Sequence, residues 1–228
     1  MSDVVQLFAP EGSRRSFENS IATLIRAEHH DEAEAMLSRH LEDLPSSLPA
    51  ICAALPLDAV TIDGWDIFNE KIEQLSAEGQ QITAVGVELS NVSDRLNLEC
   101  SYYSDQCFPF STSSRDDILR ENENYGTSWA GAFEDIDYAL ECRGLDELNE
   151  AIVAHPLRLV RQAPSVDQSE YASVNLARWF MYVRFHQAIK RTLDSNGLAR
   201  IIPMLVGQND SGGPWLEAVY YPTRGLRS

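Results

Sequence analysis

The chain has 228 residues, 44% of them hydrophobic and 9% aromatic, with a formal net charge of −17 at pH 7. That apolar content excludes an intrinsically disordered chain, and the length allows one large domain or two small ones. The charge is uneven: residues 1–150 hold 30 acidic and 9 basic side chains, residues 151–228 hold 5 and 9, which argues against nucleic acid as a partner because phosphates need a basic footprint.

From the N-terminus, MSDVVQLFAPEGSRR lacks the basic start and apolar core of a secretory leader, and Arg14 and Arg15 are expected in a mobile leading segment. No apolar run approaches the ~20 residues of a membrane-crossing helix. The expectation is a cytoplasmic protein with no membrane partner. Cys52, Cys100, Cys107 and Cys142 contain no Cys-x-x-Cys pair, so reduced core thiols are expected rather than a disulfide framework.

SFENSIATLIRAEHH places Phe17, Ile21, Leu24 and Ile25 at helical spacing, and DEAEAMLSRHLEDL repeats the pattern with Ala35, Leu37, Leu41 and Leu44. Asp31 with Glu34 forms a capping-box pattern for the second helix. The pair reads as an αα-hairpin that loosely resembles one tetratricopeptide unit, although no further 34-residue period supports an array. LPSSLPAICAALPLD holds a short helix between prolines. GWDIFNEKIEQLSAEG then lines up Trp65, Phe68, Ile72 and Leu75 on one face, with Gly79 as the stop.

After Gly79 the period changes to two. Val85, Val87 and Leu89 alternate in QITAVGVELS, and Leu96, Leu98, Cys100 and Tyr102 alternate in RLNLECSYYS, giving a β-hairpin. Beyond it, SSRDDILRENEN reads as a helix capped by Ser114, while FEDIDYALECRG and LDELNEAIVAHP read as two more short helices. From about Ser169 a long helix, apolar on most sides, belongs at the centre of the core.

The C-terminal part repeats an earlier one. A gap-free shift of 118 residues lays 79–103 on 197–221, with seven of 25 positions identical, including Gly79/Gly197, Ser93/Ser211, Glu99/Glu217, Tyr102/Tyr220 and Tyr103/Tyr221. The fold expected is therefore α+β: a mainly antiparallel sheet built from two repeated helix–β-hairpin units, packed by helices, with an N-terminal helical hairpin. Residues 1–56 would form that hairpin and a linker, and 57–228 the α+β domain, or the two would be continuous.

Within the second copy, NDSGGPW (209–215) resembles the nucleophile segment of the chymotrypsin-like serine proteases in its Asp-Ser-Gly-Gly-Pro string. The resemblance implies Ser211 as nucleophile, a histidine in an Ala-Ala-His-Cys setting, and two β-barrels. The nearest histidine context is VAHPL around His155, without the cysteine; Asn209 stands where the family has glycine, and the helical majority contradicts a double barrel. The repeat instead makes these residues a hairpin connection rich in turn formers.

No other motif nominates chemistry. His29, His30 and His40 lack the i, i+4 ligand spacing of a helical metal site and read as exposed helix-end residues. Glu134, Asp135 and Asp137 lack the glycine-centred loop of an EF-hand, and no phosphate-binding glycine loop occurs, so neither metal nor cofactor is expected. The repeated Leu-Glu-x-x-Tyr-Tyr string puts Glu99 with Tyr103, and Glu217 with Tyr221, on equivalent strand faces suited to an interface. The function expected is a non-catalytic protein-binding role toward a basic partner, such as an inhibitor or immunity protein or an accessory factor. Glu99, Tyr103, Glu217, Tyr221, Glu134, Asp135 and Asp137 are its candidate residues. The alternatives are an enzyme using Glu134, Asp135 and Asp137 or His155, and a homo-oligomer that joins the acidic front to the basic back.

Overall fold

A computed structural model describes residues 13–44, 46–90, 96–104, 110, 112–125, 133–156, 167–208 and 218–223. In chain order the elements are α1 (Ser13–Arg26), α2 (His30–Leu41), α3 (Ser47–Ala54), a 3₁₀ turn (Leu57–Ala59), β1 (Thr61–Asp63), α4 (Trp65–Ala77), β2 (Ile82–Ser90), β3 (Asn97–Ser104), α5 (Arg115–Tyr125), β4 (Phe133–Asp137), β5 (Glu141–Arg143), α6 (Asp146–Ala154), α7 (Gln168–Asn196), β6 (Met204–Gln208) and β7 (Ala218–Tyr220). Helices and sheet are both present, and the sheets are antiparallel and mixed. The chain divides into two compact units, Met1–Val60 with Gly144–His186 and Thr61–Arg143 with Gln187–Ser228. The N-terminal helices thus group with Gly144–His186, residues that the sequence reading gave to the α+β part.

The first unit is helical. The described helix α1 begins at Ser13, so Arg14 and Arg15 are helical residues and not part of a mobile leader. Arg14 is half-buried: its Nε donates to Glu18 Oε1 at 2.7 Å and its Nη1 to the Tyr171 hydroxyl at 2.5 Å. The guanidinium lies 5.7 and 5.9 Å from the ring centroids of Tyr171 and Trp179, a cation–π arrangement that holds α1 against α7.

Helix α1 ends in a Schellman arrangement. The N–H groups of Glu28 and His29 donate to Ile25 and Leu24 carbonyls, with Glu28 at φ 63° where glycine is usual. Helix α2 buries His30, Ala33, Leu37 and Leu41, whereas Ala35, expected inside, is exposed. Asp31, expected to cap α2 with Glu34 completing a capping box, lies instead within the first turn of the helix. The N-cap position is His29 and carries no side-chain cap bond, while Glu34 is drawn away by Arg184, whose Nη2 lies 2.9 Å from its Oε1. A charge-assisted pair outweighs a local cap wherever the cation is largely desolvated, and the Arg184 side chain is 7% exposed.

The second unit is organised by a five-stranded sheet of order β4-β3-β2-β6-β7. Three neighbouring pairs are antiparallel, and the central pair, β2 with β6, is parallel, with Val85 opposite Met204 and Leu89 opposite Gln208. Helix α4 supplies the cover on one face, where Phe68 meets the Tyr102 ring at 5.6 Å. Trp65, Phe68, Ile72 and Leu75 are all buried, as their spacing predicts. Gly79 is the left-handed residue that ends α4, at φ 92°, with Gln80 N–H donating to Leu75 O.

The opposite face carries a cluster of Ala84, Tyr103, Leu205 and Val219 with Phe110, Ile118 and Leu119, the last two from α5. That helix starts as the sequence predicts. Asp117 N–H donates to Ser114 Oγ at 3.2 Å, and Ser114 Oγ–H donates back to Asp117 Oδ2 at 2.6 Å. These Ser114 bonds, with the close Arg120 pair, hold the Asp117 carboxyl below its ordinary value. A carboxylate lowered on folding stabilises the fold above the ordinary carboxylate range, and that contribution disappears as pH falls through its lowered value. Ser114→Ala is expected to cost about 1 kcal/mol, read as a lower urea midpoint. An unchanged midpoint would show that α5 is held by packing alone.

FEDIDYALECRG, read from sequence as a helix, forms β4 and β5 instead. Strand β4 pairs with β3, Asp137 opposite Cys100, and β5 pairs with β1 in a separate two-stranded ladder, Cys142 opposite Ile62. The partners lie far away in sequence, so local acidic spacing could not reveal them.

The gap-free repeat does not describe the pairing. Shifted by 118 residues, the Gly86–Ser101 pair would become Met204–Val219, but Met204 lies opposite Tyr220. Because β2 and β6 partners are 119 residues apart, residues related by 118 point to opposite faces in the first strands. In the second strands they point to the same face, so no single rotation superposes both.

Candidate functional site: one face of the sheet and the outer side of α4

Strand alternation sends Ala84, Gly86, Glu88 and their β3 partners Tyr103, Ser101 and Glu99 to the face covered by α5. Tyr103 is 2% exposed, and its ring packs 5.2 Å from Phe110. It leans across Gly86, where an added Cβ would stand 3.1 Å from the Tyr103 hydroxyl oxygen. A missing side chain in the centre of the strand thus makes room for an aromatic ring from the neighbouring strand. Tyr103 is a floor for α5 and is not presented at the surface.

Tyr221 packs against the same cluster from its rim. It is half-buried, with the Arg115 guanidinium 5.9 Å from its ring centroid. Burial raises its hydroxyl above the usual tyrosine value, and Arg115 opposes that rise. Glu99 is half-buried and lies directly across from Glu88, two like charges on facing positions of an antiparallel pair. Glu217 and the whole 209–217 stretch, Ser211 included, lie outside the described residues, as does Cys107.

The acidic segment divides differently. Glu134 and Asp135 belong to β4, and their side chains lie outside the described residues. Asp137 is engaged internally: Oδ2 accepts from the Tyr102 hydroxyl at 3.0 Å and Oδ1 from Ala139 N–H at 3.1 Å. It pairs with Cys100, on the sheet face opposite Tyr103. The structure therefore brings Tyr103 and Tyr221 together in one cluster and places Asp137 elsewhere. His155 is the half-buried residue that ends α6.

The thiols are sunk in the core. Cys52 and Cys100 are both pushed up to about 12 by burial, which leaves them protonated and poorly nucleophilic at neutral pH. Cys142 is likewise buried. Among the described residues no group of three His, Cys, Asp or Glu side chains is placed to hold a metal ion. The histidines divide: His29 is exposed beside Glu32, and His40 meets Phe17 edge-on at 5.0 Å. His30, expected at the surface, is 7% exposed and stacks on His186.

Sequence reasoning directed at the apolar side of α4 missed its outer side. Asp66, Glu70 and Glu73 are exposed at i, i+4 and i+7, and Ile67 beside them is 57% exposed. Among the described residues none of the three carboxylates has an ion-pair or hydrogen-bond partner. The signal was present in WDIFNEKIE as an acidic stripe at helical spacing.

No family model, curated protein or solved structure matches the chain. Among the described residues no helix is long and apolar enough to cross a membrane.

Proposed function

We propose that this chain is a non-catalytic binding protein whose partner is a basic protein, docked on the outer side of α4. The observation that carries the reading is the unpaired stripe Asp66, Glu70 and Glu73 flanking exposed Ile67. Like charges one helical turn apart cost about 0.2–0.5 kcal/mol per pair, and among the described residues none of these three carboxylates is held in an ion pair. A basic partner would relieve the repulsion, steer to it through the −17 charge of the chain, and cover the isoleucine. Inhibitor, immunity and accessory roles all meet this description.

The test uses a basic amphipathic Lys/Leu peptide as probe, titrated against the protein at low and physiological salt. A triple variant Asp66→Asn, Glu70→Gln, Glu73→Gln is expected to lose at least tenfold in affinity. The matched variant Asp146→Asn, Glu147→Gln, Glu150→Gln on α6 should retain it. Equal losses in the two variants would reduce the effect to net charge and remove α4 as the docking element.

We further read the second unit as a duplicated helix–hairpin. Helix, left-handed glycine and strand recur as α4–Gly79–β2 and α7–Gly197–β6, with φ 92° and 73° at the two glycines. The one-residue difference in hairpin register is then a later change in one copy.

A further inference from the structure

We propose that Tyr138 is the aromatic anchor of the docking surface and selects a partner that presents arginine rather than lysine, an inference that rests on α4 being the docking element. Tyr138 stands between β4 and β5 and is 66% exposed. Among the described side chains every other tyrosine, tryptophan or phenylalanine is buried or half-buried. The Tyr138 ring has no aromatic, cationic or hydrogen-bond partner among the described residues.

The backbone that carries this ring is held on both sides. Asp137 Oδ1 accepts from Ala139 N–H at 3.1 Å across Tyr138, and its Oδ2 accepts from the Tyr102 hydroxyl at 3.0 Å. The Ala139 carbonyl rests against Gly64, the N-cap residue of α4, so closely that a side chain there would collide with it. Tyr138 is thus one residue from a contact with the start of α4, and Asp66 is two residues beyond the same contact. A partner that follows the stripe from Glu73 back to Asp66 runs toward the tyrosine. A tyrosine has few torsions to lose on binding, and a turn already fixed adds no ordering cost.

The surroundings favour a cation over the ring. Asp66 is exposed, and on the adjoining β1·β5 ladder Asp63 and Glu141 keep 47% and 61% of their side chains in solvent. Arg143, the nearest cation in sequence, is turned toward those two carboxylates at 3.0 and 2.9 Å. The negative face of a phenol ring attracts a cation, and neighbouring carboxylates raise the local concentration of one. A guanidinium suits both at once: its plane stacks on the ring while the N–H fork at its edge stays free for a carboxylate such as Asp66. A lysine ammonium is compact and strongly hydrated, and gains less from the ring.

The experiment titrates the full chain with two amphipathic peptides of one pattern, Arg/Leu and Lys/Leu. The wild type is expected to bind the arginine peptide about two- to fivefold more tightly, the span of an exposed cation–π contact. Tyr138→Leu keeps an apolar side chain but has no ring face, and should erase that preference; Tyr138→Phe should retain it. No arginine preference in the wild type, or the same preference in Tyr138→Leu, overturns the anchor and leaves docking on α4 intact. Indifference of both peptides to the Asp66→Asn, Glu70→Gln, Glu73→Gln variant would instead remove α4 as the docking element, and the anchor with it. If Tyr138→Leu fails to fold, the peptide bound to the wild type decides by NMR. Upfield ring-current shifts of its arginine side-chain protons support the anchor, and unshifted protons overturn it.

Discussion

Replacing Arg184 by alanine is expected to destabilise the protein by about 3 kcal/mol, at the lower end of the range for breaking a buried ion pair. The side chain is 7% exposed, its Nη2 serves both Glu34 Oε1 at 2.9 Å and Leu55 O at 3.0 Å, and its guanidinium covers the Phe180 ring. Removing it leaves a carboxylate and a carbonyl without their donor and opens a cavity beside Phe180. Glu34 keeps 23% of its side chain in solvent, so part of its charge can be rehydrated, which places the loss at the low end. Pairing Arg184→Met with Glu34→Leu should recover most of it, because a buried pair exchanged as a whole for apolar groups is close to neutral. Urea unfolding of the two single variants and the double variant closes the cycle. Additive losses would show that the two residues do not act as a pair.

The second large effect is expected at Gly64. It sits at φ 81°, and a Cβ there would stand 2.0 Å from the Ala139 carbonyl oxygen. Ala139 cannot easily retreat, since its N–H is held by Asp137 Oδ1 at 3.1 Å and Asp137 is held in turn by the Tyr102 hydroxyl. Gly64→Ala therefore combines a left-handed backbone cost of about 1–2 kcal/mol with a backbone collision that relaxes only by breaking the β1·β5 ladder. Gly79→Ala isolates the first part, because φ is 92° there and nothing lies within 4 Å of the added Cβ. Gly64→Ala should lower stability by at least about 2 kcal/mol more than Gly79→Ala, in line with losses at overpacked core sites. Equal losses in urea unfolding would mean the ladder gives way freely.

The sequence revealed the features that depend on near neighbours. Trp65, Phe68, Ile72 and Leu75 mark α4, Gly79 marks its end, and Ser114 marks the start of α5, because periodicity, helix stops and caps are written within a few residues. Features that depend on distant partners were not legible. Glu34 looked like a cap because Arg184, 150 residues away, could not be seen to claim it. FEDIDYALECRG looked like a helix because the strands that pair with it, β3 and β1, lie elsewhere in the chain. The candidate site fared likewise: alternation placed Glu99 and Tyr103 on one face, but only the structure shows α5 and Phe110 lying over Tyr103. His30 was read as exposed because no local pattern announces His186.

The parallel pairing at the centre of the sheet has a consequence for how the protein is made. Strand β2 meets β3 within a few residues of its own end, but its other edge waits for β6, whose partners are 119 residues further along. During synthesis the segment ITAVGVELS, apolar and almost wholly buried in the finished fold, emerges with a row of unsatisfied N–H and C=O groups. It keeps that open edge until the ribosome has released residues 204–208. Such an edge is a template for pairing with another chain, so a chain cut short before β6 should precipitate even though both strands of the first hairpin are complete.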